Sequence, residues 1–139
     1  MPLQMQADEV MAFLERVFPQ VGEDFAVDRL QDMEVDLRLK VADRHLRPGG
    51  TVSGPSMFAL ADCAVYVIVL AMIGPRALAV TTGCSMDFMR RPDGTRDMIA
   101  RCRLLKLGKV LAVGDVLMFS EGSDKPVARA SMTYSLPPR

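Results

Sequence analysis

The chain has 139 residues, half of them apolar, and its acidic and basic side chains balance to a formal net charge of zero. This length suits one hydrophobic core, so residues 1–139 read as one domain. The lack of net positive charge argues against a nucleic-acid binder, whose footprint is strongly basic, and a near-neutral surface suits self-association.

Met1 to Met11 carries acids and has no apolar stretch of the signal-peptide kind. Val10, Met11, Phe13, Leu14, Val17 and Phe18 then form a helical stripe, which Pro19 and Gly22 end. Phe25 to Leu30 reads as a short strand. Met33, Val35, Leu37, Leu39 and Val41 alternate with Glu34, Asp36, Arg38 and Lys40, the pattern of a half-buried strand. Arg44 to Pro55 is a loop rich in glycine and proline.

The apolar run Met57 to Ile73 follows, with Ser53 or Gly54 as cap, Pro55 in the first turn and Gly74-Pro75 as the stop. It is slightly short for a membrane span, which needs ~20 residues. It also holds Asp62, whose charge makes a bilayer position expensive. A helix apolar nearly all round belongs at the centre of a fold. Strands are expected over 77–89, 98–107, 110–120 and 127–136, with turns at Asp93-Gly94 and Glu121 to Asp124. Helix, two strands, long helix and four short-looped strands make an α+β arrangement, one buried helix against a curved antiparallel sheet.

Asp62 is the residue that chemistry has to explain. Its helical neighbours Phe58, Ala59, Val65 and Tyr66 offer no ion pair, and an unpartnered carboxylate in an apolar segment is costly. Such a group is either functional, or it caps a loop or pairs with a distant arginine. Upstream, Ser53-Gly54 opens the helix, where free N–H groups can hold a developing oxyanion. Pro55 has no N–H, so the donor is Gly54 or a residue after Pro55. The plainer reading is an ordinary helix entry.

Gly50-Thr51-Val52-Ser53-Gly54-Pro55, four residues, then Leu60-Ala61-Asp62 resembles the G-x-V-H-G-G-x4-L-A-D signature of the PaaI-like hotdog thioesterases. Ser85 to Pro92 is similar to that family's N-x-D/x-F-[LM]-R-P strand, and Leu107-Gly108-Lys109 to its x-G-[RK] turn. The resemblance covers about residues 33–136. It implies a hotdog fold, a dimer with a continuous sheet or a dimer of such dimers, and an acyl-CoA substrate bound at the interface. It implies Asp62 as general base or nucleophile and the Gly54 N–H as oxyanion donor. It also implies Thr81, from the partner subunit, as the group that orients water. By strict alternation Thr81 shares a face with Gly83, Ser85 and Asp87, opposite Val80, Thr82, Cys84, Met86 and Phe88.

The sequence departs from the signature at Ser53 for histidine, Pro55 for the second glycine and Arg47 for an asparagine. A guanidinium at 47 suits bidentate recognition of a carboxylate or phosphate. Ser53, Arg47, Arg90, Arg91, Lys106 and Lys109 are the expected substrate-binding residues, with Arg90, Arg91, Lys106 and Lys109 for CoA phosphates; a solvated basic rim is the bland reading. His45, the only histidine, sits in a loop near this site and has no visible partner, so a surface or loop-packing role is the simpler one. Cys63, Cys84 and Cys102, odd in number and without a CxxC, read as reduced thiols of a cytoplasmic protein. No metal cluster or cofactor motif is visible. Met57, Met72, Met86, Met89, Met98 and Met118 suit a plastic acyl pocket or simply the core. The expected activity is acyl-CoA hydrolysis. The alternatives are an acyl-CoA or acyl-carrier binder without turnover, and a hotdog dehydratase, which would want a histidine better placed than His45.

Overall fold

The computed structural model describes residues 2–138. In chain order the elements are α1 (Ala7–Val17), α2 (Pro19–Gly22), β1 (Phe25–Gln31), β2 (Glu34–Leu39), a 3-10 turn (Asp43–His45), β3 (Leu46–Arg47), β4 (Thr51–Val52), α3 (Gly54–Ile73), β5 (Val80–Phe88), β6 (Met98–Leu107), β7 (Leu111–Ser120) and β8 (Ala128–Ser135). The expected α+β architecture is present, and the long helix lies against one six-stranded sheet of order β1-β2-β6-β7-β8-β5. Each neighbouring pair is antiparallel. Pro19 ends α1 as expected but opens the short α2, because proline fits a first helical turn.

β2 shows why the sheet holds its register. Val35, Leu37 and Leu39 are buried, while Glu34, Asp36 and Arg38 point away. Each buried side chain contributes about 1.5–3 kcal/mol, and a slip by one residue would turn all three to water. On the outer face Arg38 reaches Asp28 at 3.0 Å, Asp97 at 3.0 Å and Glu121 at 2.6 Å, tying β2 to β1 and to the two loops that flank β6 and β7.

α3 starts where the Ser53 hydroxyl accepts the Ser56 N–H at 3.2 Å. It stops at Gly74, whose φ of 94° no branched residue adopts cheaply. By length and composition it is able to cross a bilayer, yet its residues pack against β2, β6 and β7 as the core of the sheet. Gly114 permits the close approach, since a methyl there would lie 3.3 Å from Val65 Cγ2.

One stripe of α3 stays uncovered. Pro55, Phe58 and Ala59 are exposed, and Asp62 and Tyr66 are partly so, at the three- and four-residue spacing of one helical face. Beside this stripe runs β5, a sheet-edge strand with Val80 and Phe88 exposed and Leu78, just before it, 79 % exposed.

Candidate active site

The pairing of β5 with β8 shifts register between Thr81 and Gly83. Thr82 is thereby an extra residue, and a bulge of this kind reverses the alternation beyond it. Thr81 pairs with Tyr134, Cys84 with Met132, Met86 with Ala130 and Phe88 with Ala128, and paired residues share a face. Thr81 therefore lies on the helix-facing side with Cys84, Met86 and Phe88. The expectation that it sits with Gly83, Ser85 and Asp87 is corrected by that single inserted residue.

The bulge turns the Thr81 hydroxyl onto Asp62, to whose Oδ1 it donates a hydrogen bond. Donor and acceptor belong to the same chain, so Thr81 need not come from a partner subunit, contrary to what the family resemblance implied. Tyr134, absent from the sequence-based site, donates to the same Oδ1 at 2.7 Å and to the Asp62 backbone carbonyl at 2.9 Å. Its ring stacks on Tyr66 at 6.2 Å between centroids, and the Tyr66 hydroxyl donates to the Ala77 carbonyl at 2.7 Å. Burial, and then the Asp62 charge, hold the Tyr134 phenol well above its usual pKa, so it stays a donor. The one sequence cue for Tyr134 was a phenol on the apolar face of an alternating strand, after Ala128, Ala130 and Met132, since a buried Tyr hydroxyl needs a partner.

Asp62 opens into a cleft of about 560 Å³ walled by Phe18, Phe58, Tyr66, Ala77, Leu78 and Val80. Among the described residues lining it, Asp62 is the one charged side chain. Cys63, next to it, is a buried thiol pushed up to about 12 by that burial and by the Asp62 charge, and so is inert as a nucleophile.

A second hollow, of about 420 Å³, lies at the first turn of α3 and gathers Arg47, Gly54, Met57, Phe88, Arg90 and Arg91. The β3–β4 hairpin brings Arg47 here by packing on the β5–β6 turn so tightly that a methyl at Gly94 would sit 1.8 Å from the Gly50 carbonyl oxygen. Arg90 donates to the Pro126 carbonyl at 2.9 Å, whereas Arg47 and Arg91 have no ion-pair partner among the described residues. Gly54 is the first residue of α3, where N–H groups have no intrahelical acceptor.

Other expected site residues fall elsewhere. The Ser53 hydroxyl is engaged by Ser56 as the helix cap, accepting its N–H and donating to its Oγ at 2.9 Å, rather than standing in for a motif histidine. Lys106 and Lys109 belong to the β6–β7 end of the sheet and line neither the cleft nor the hollow, so the structure separates them from Arg47, Arg90 and Arg91. His45 is buried packing. Its Nδ1 accepts the Ala42 N–H at 2.9 Å, its Nε2 faces Asp24 at 3.3 Å, and its carbonyl accepts the Ser53 N–H at 2.8 Å, which fixes the entry to α3. Met72, Met98 and Met118 are fully buried core residues, and Met57 alone of the six named methionines lines either space. The described residues contain no group of three or more metal-ligating side chains.

Comparison with known proteins places this geometry. Residues 49–127 match the family described as "Thioesterase superfamily". A crystal structure of a "putative thioesterase" from a Silicibacter species is similar at 59 % identity, with 99 % of this chain and 96 % of that chain covered and a TM-score of 0.93. A mutant of the phenylacetic acid degradation protein PaaI from Thermus thermophilus is 28 % identical, with 86 % and 99 % covered and a TM-score of 0.73. Zebra fish thioesterase superfamily member 2, at 19 % identity with 96 % and 100 % covered and a TM-score of 0.84, shares the fold.

Proposed function

The chain belongs to the thioesterase superfamily, in its PaaI-like hotdog group, and on that premise we propose that it hydrolyses an acyl-CoA thioester. The observation that carries this reading is Asp62, a carboxylate on the uncovered stripe of a core helix, held by Thr81 at the mouth of an apolar cleft. The cleft takes the acyl group, and its apolar walls suit a neutral one. Arg47, Arg90 and Arg91 around Gly54 take the anionic CoA portion.

Asp62 removes a proton from water, which adds to the thioester carbonyl. The Gly54 N–H, in the positive field of the helix N-terminus, stabilises the resulting oxyanion. Collapse breaks the C–S bond and releases a carboxylic acid and the CoA thiol. In the second route Asp62 itself attacks, and water then hydrolyses the mixed anhydride. Single turnover in ¹⁸O-labelled water separates the routes, because attack by Asp62 lets one aspartate oxygen exchange into the product acid.

Asp62 and Gly54 cannot meet on one carbonyl from a single chain. They lie eight positions apart on α3, about 12 Å along the axis of a helix. The site is complete when Asp62 and Thr81 of one copy face Gly54 of another, so the active species is a homodimer or a pair of homodimers. Its three free thiols, Cys63, Cys84 and Cys102, suit the cytoplasm.

The departure at Ser53 keeps a second reading alive: a hotdog protein that binds acyl-CoA or an acyl carrier without turnover. Release of CoA from a panel of acyl-CoAs separates the two. Turnover by the wild type and its loss in Asp62→Ala support the hydrolase; binding without CoA release refutes it.

A further inference from the structure

We propose that Tyr134 is a positioning residue for Asp62: with Thr81 it holds one carboxylate oxygen, Oδ1, and so assigns the other, Oδ2, as the oxygen that meets water or the thioester carbonyl. The inference rests on the hydrolase reading above and names the reactive atom within it.

The two oxygens of Asp62 have different surroundings. Oδ1 accepts from the Thr81 hydroxyl and from Tyr134 at 2.7 Å. A carboxylate oxygen has about two lone-pair sites, so Oδ1 has no capacity left. Oδ2 has no hydrogen-bond partner among the described residues and is not among the buried, unpartnered side-chain atoms, so it is open to the cleft. The carboxylate is thus fixed in rotation, with one oxygen tethered and one presented. Fixed presentation of a reacting group is what orientation contributes to rate.

Packing alone does not account for the Tyr134 hydroxyl. Phenylalanine would fill the same space against Tyr66. Both acceptors of the hydroxyl are atoms of Asp62, its Oδ1 and its backbone carbonyl at 2.9 Å. Tyr134 is 2 % exposed, so water does not compete for it. The stack on Tyr66, itself anchored to the Ala77 carbonyl, fixes the direction in which the phenol points.

The test uses Tyr134→Phe in the full-length oligomer, beside Asp62→Asn, with an acyl-CoA that the wild type hydrolyses. For Tyr134→Phe we expect kcat to fall about tenfold, the loss of one hydrogen bond to a charged group, with KM within about twofold. Unchanged kcat in Tyr134→Phe, with Asp62→Asn inactive, overturns this inference and leaves the hydrolase reading standing. Full turnover by Asp62→Asn overturns both.

A measurement independent of turnover and of the Phe variant uses the fact that the chain has two tyrosines. With ¹³Cζ-labelled tyrosine, and the Tyr66 signal identified by Tyr66→Phe, the Tyr134 resonance shifts in Asp62→Asn if the phenol is bonded to the carboxylate. A resonance that does not move removes the grip, and the proposal with it.

Discussion

At its first turn α3 meets the guanidinium groups of Arg47, Arg90 and Arg91 and offers free N–H groups; two turns on, it carries a lone carboxylate in an apolar cleft. Each half lacks what the other has. The first turn can hold an anion but has no base. The middle has the carboxylate proposed as base but no free helix N–H for an oxyanion. One rigid helix keeps them about 12 Å apart, so a single chain possesses both halves and cannot use them together. In the proposed reaction it is duplication of the chain, rather than any bending of it, that completes the chemistry.

The largest test of this division is Asp62→Asn, which removes the charge while nearly keeping the side chain's shape. Turnover should fall by about 10²–10⁴-fold, with acyl-CoA binding retained in a fluorescence or calorimetric titration. Mixed with a chain that carries Arg47→Ala and Arg91→Ala, Asp62→Asn should regain low-KM turnover, because a mixed pair contains one intact composite site. Mixtures no better than the sum of their parts would break the composite site.

Gly94→Ala comes next. Its methyl collides with backbone at Gly50, and such overpacking should cost about 3 kcal/mol in urea unfolding. The cationic half should be disturbed first, because the loop it displaces carries Arg47. A variant as stable as the wild type would mean that the two loops do not touch as described.

The double variant Arg47→Ala, Arg91→Ala should raise KM for acyl-CoA about tenfold at low salt and leave kcat unchanged. The difference should shrink as salt screens the wild type's advantage. A fall in kcat with unchanged KM would move these arginines from binding to chemistry.

The smallest effect concerns the buttress under the first turn. Burial raises the Asp24 pKa, but the hydrogen bond from Arg44 and the adjacent His45 imidazole outweigh it, and the net shift is downward from 3.8. A carboxyl depressed in the folded state contributes stability above its unfolded value, and that contribution is lost as pH falls through the lower folded value. Asp24→Asn should therefore cost about 0.5 kcal/mol near neutral pH, and the gap to wild type should narrow below about pH 4. A gap that widens toward acid would reverse the sign.

The same molecule shows which features a sequence makes legible. α3 could be read because its signals are local: a serine cap, a proline in the first turn, a glycine stop and an unbroken apolar run. β2 could be read because one buried face imposes a period of two. Asp62 stood out because no helical neighbour could pair with it. Thr81 was placed on the wrong face because a bulge is set by the partner strand, and periodicity along β5 alone cannot register it. Tyr134 was missed because its hydroxyl partner lies 72 positions away in the chain. Four cations at strand ends and turns looked equivalent, yet Arg90 and Arg91 converge with Arg47 while Lys106 and Lys109 sit at the far end of the sheet. Which loops share an end is a property of strand order, and strand order is not written in any one segment.

The two margins of the sheet differ in a way that bears on handling the protein. β1 is bulged at Asp28 and carries Arg29 across from Asp36, features that discourage further strands from joining. β5 presents Val80 and Phe88, follows the bare Leu78, and leaves its outer backbone groups without a neighbouring strand. If a second copy of β5 is what belongs there, catalysis and colloidal stability share one contact. Dilution would then cost specific activity and solubility at the same moment, and protein concentration would be as much a variable of the assay as substrate.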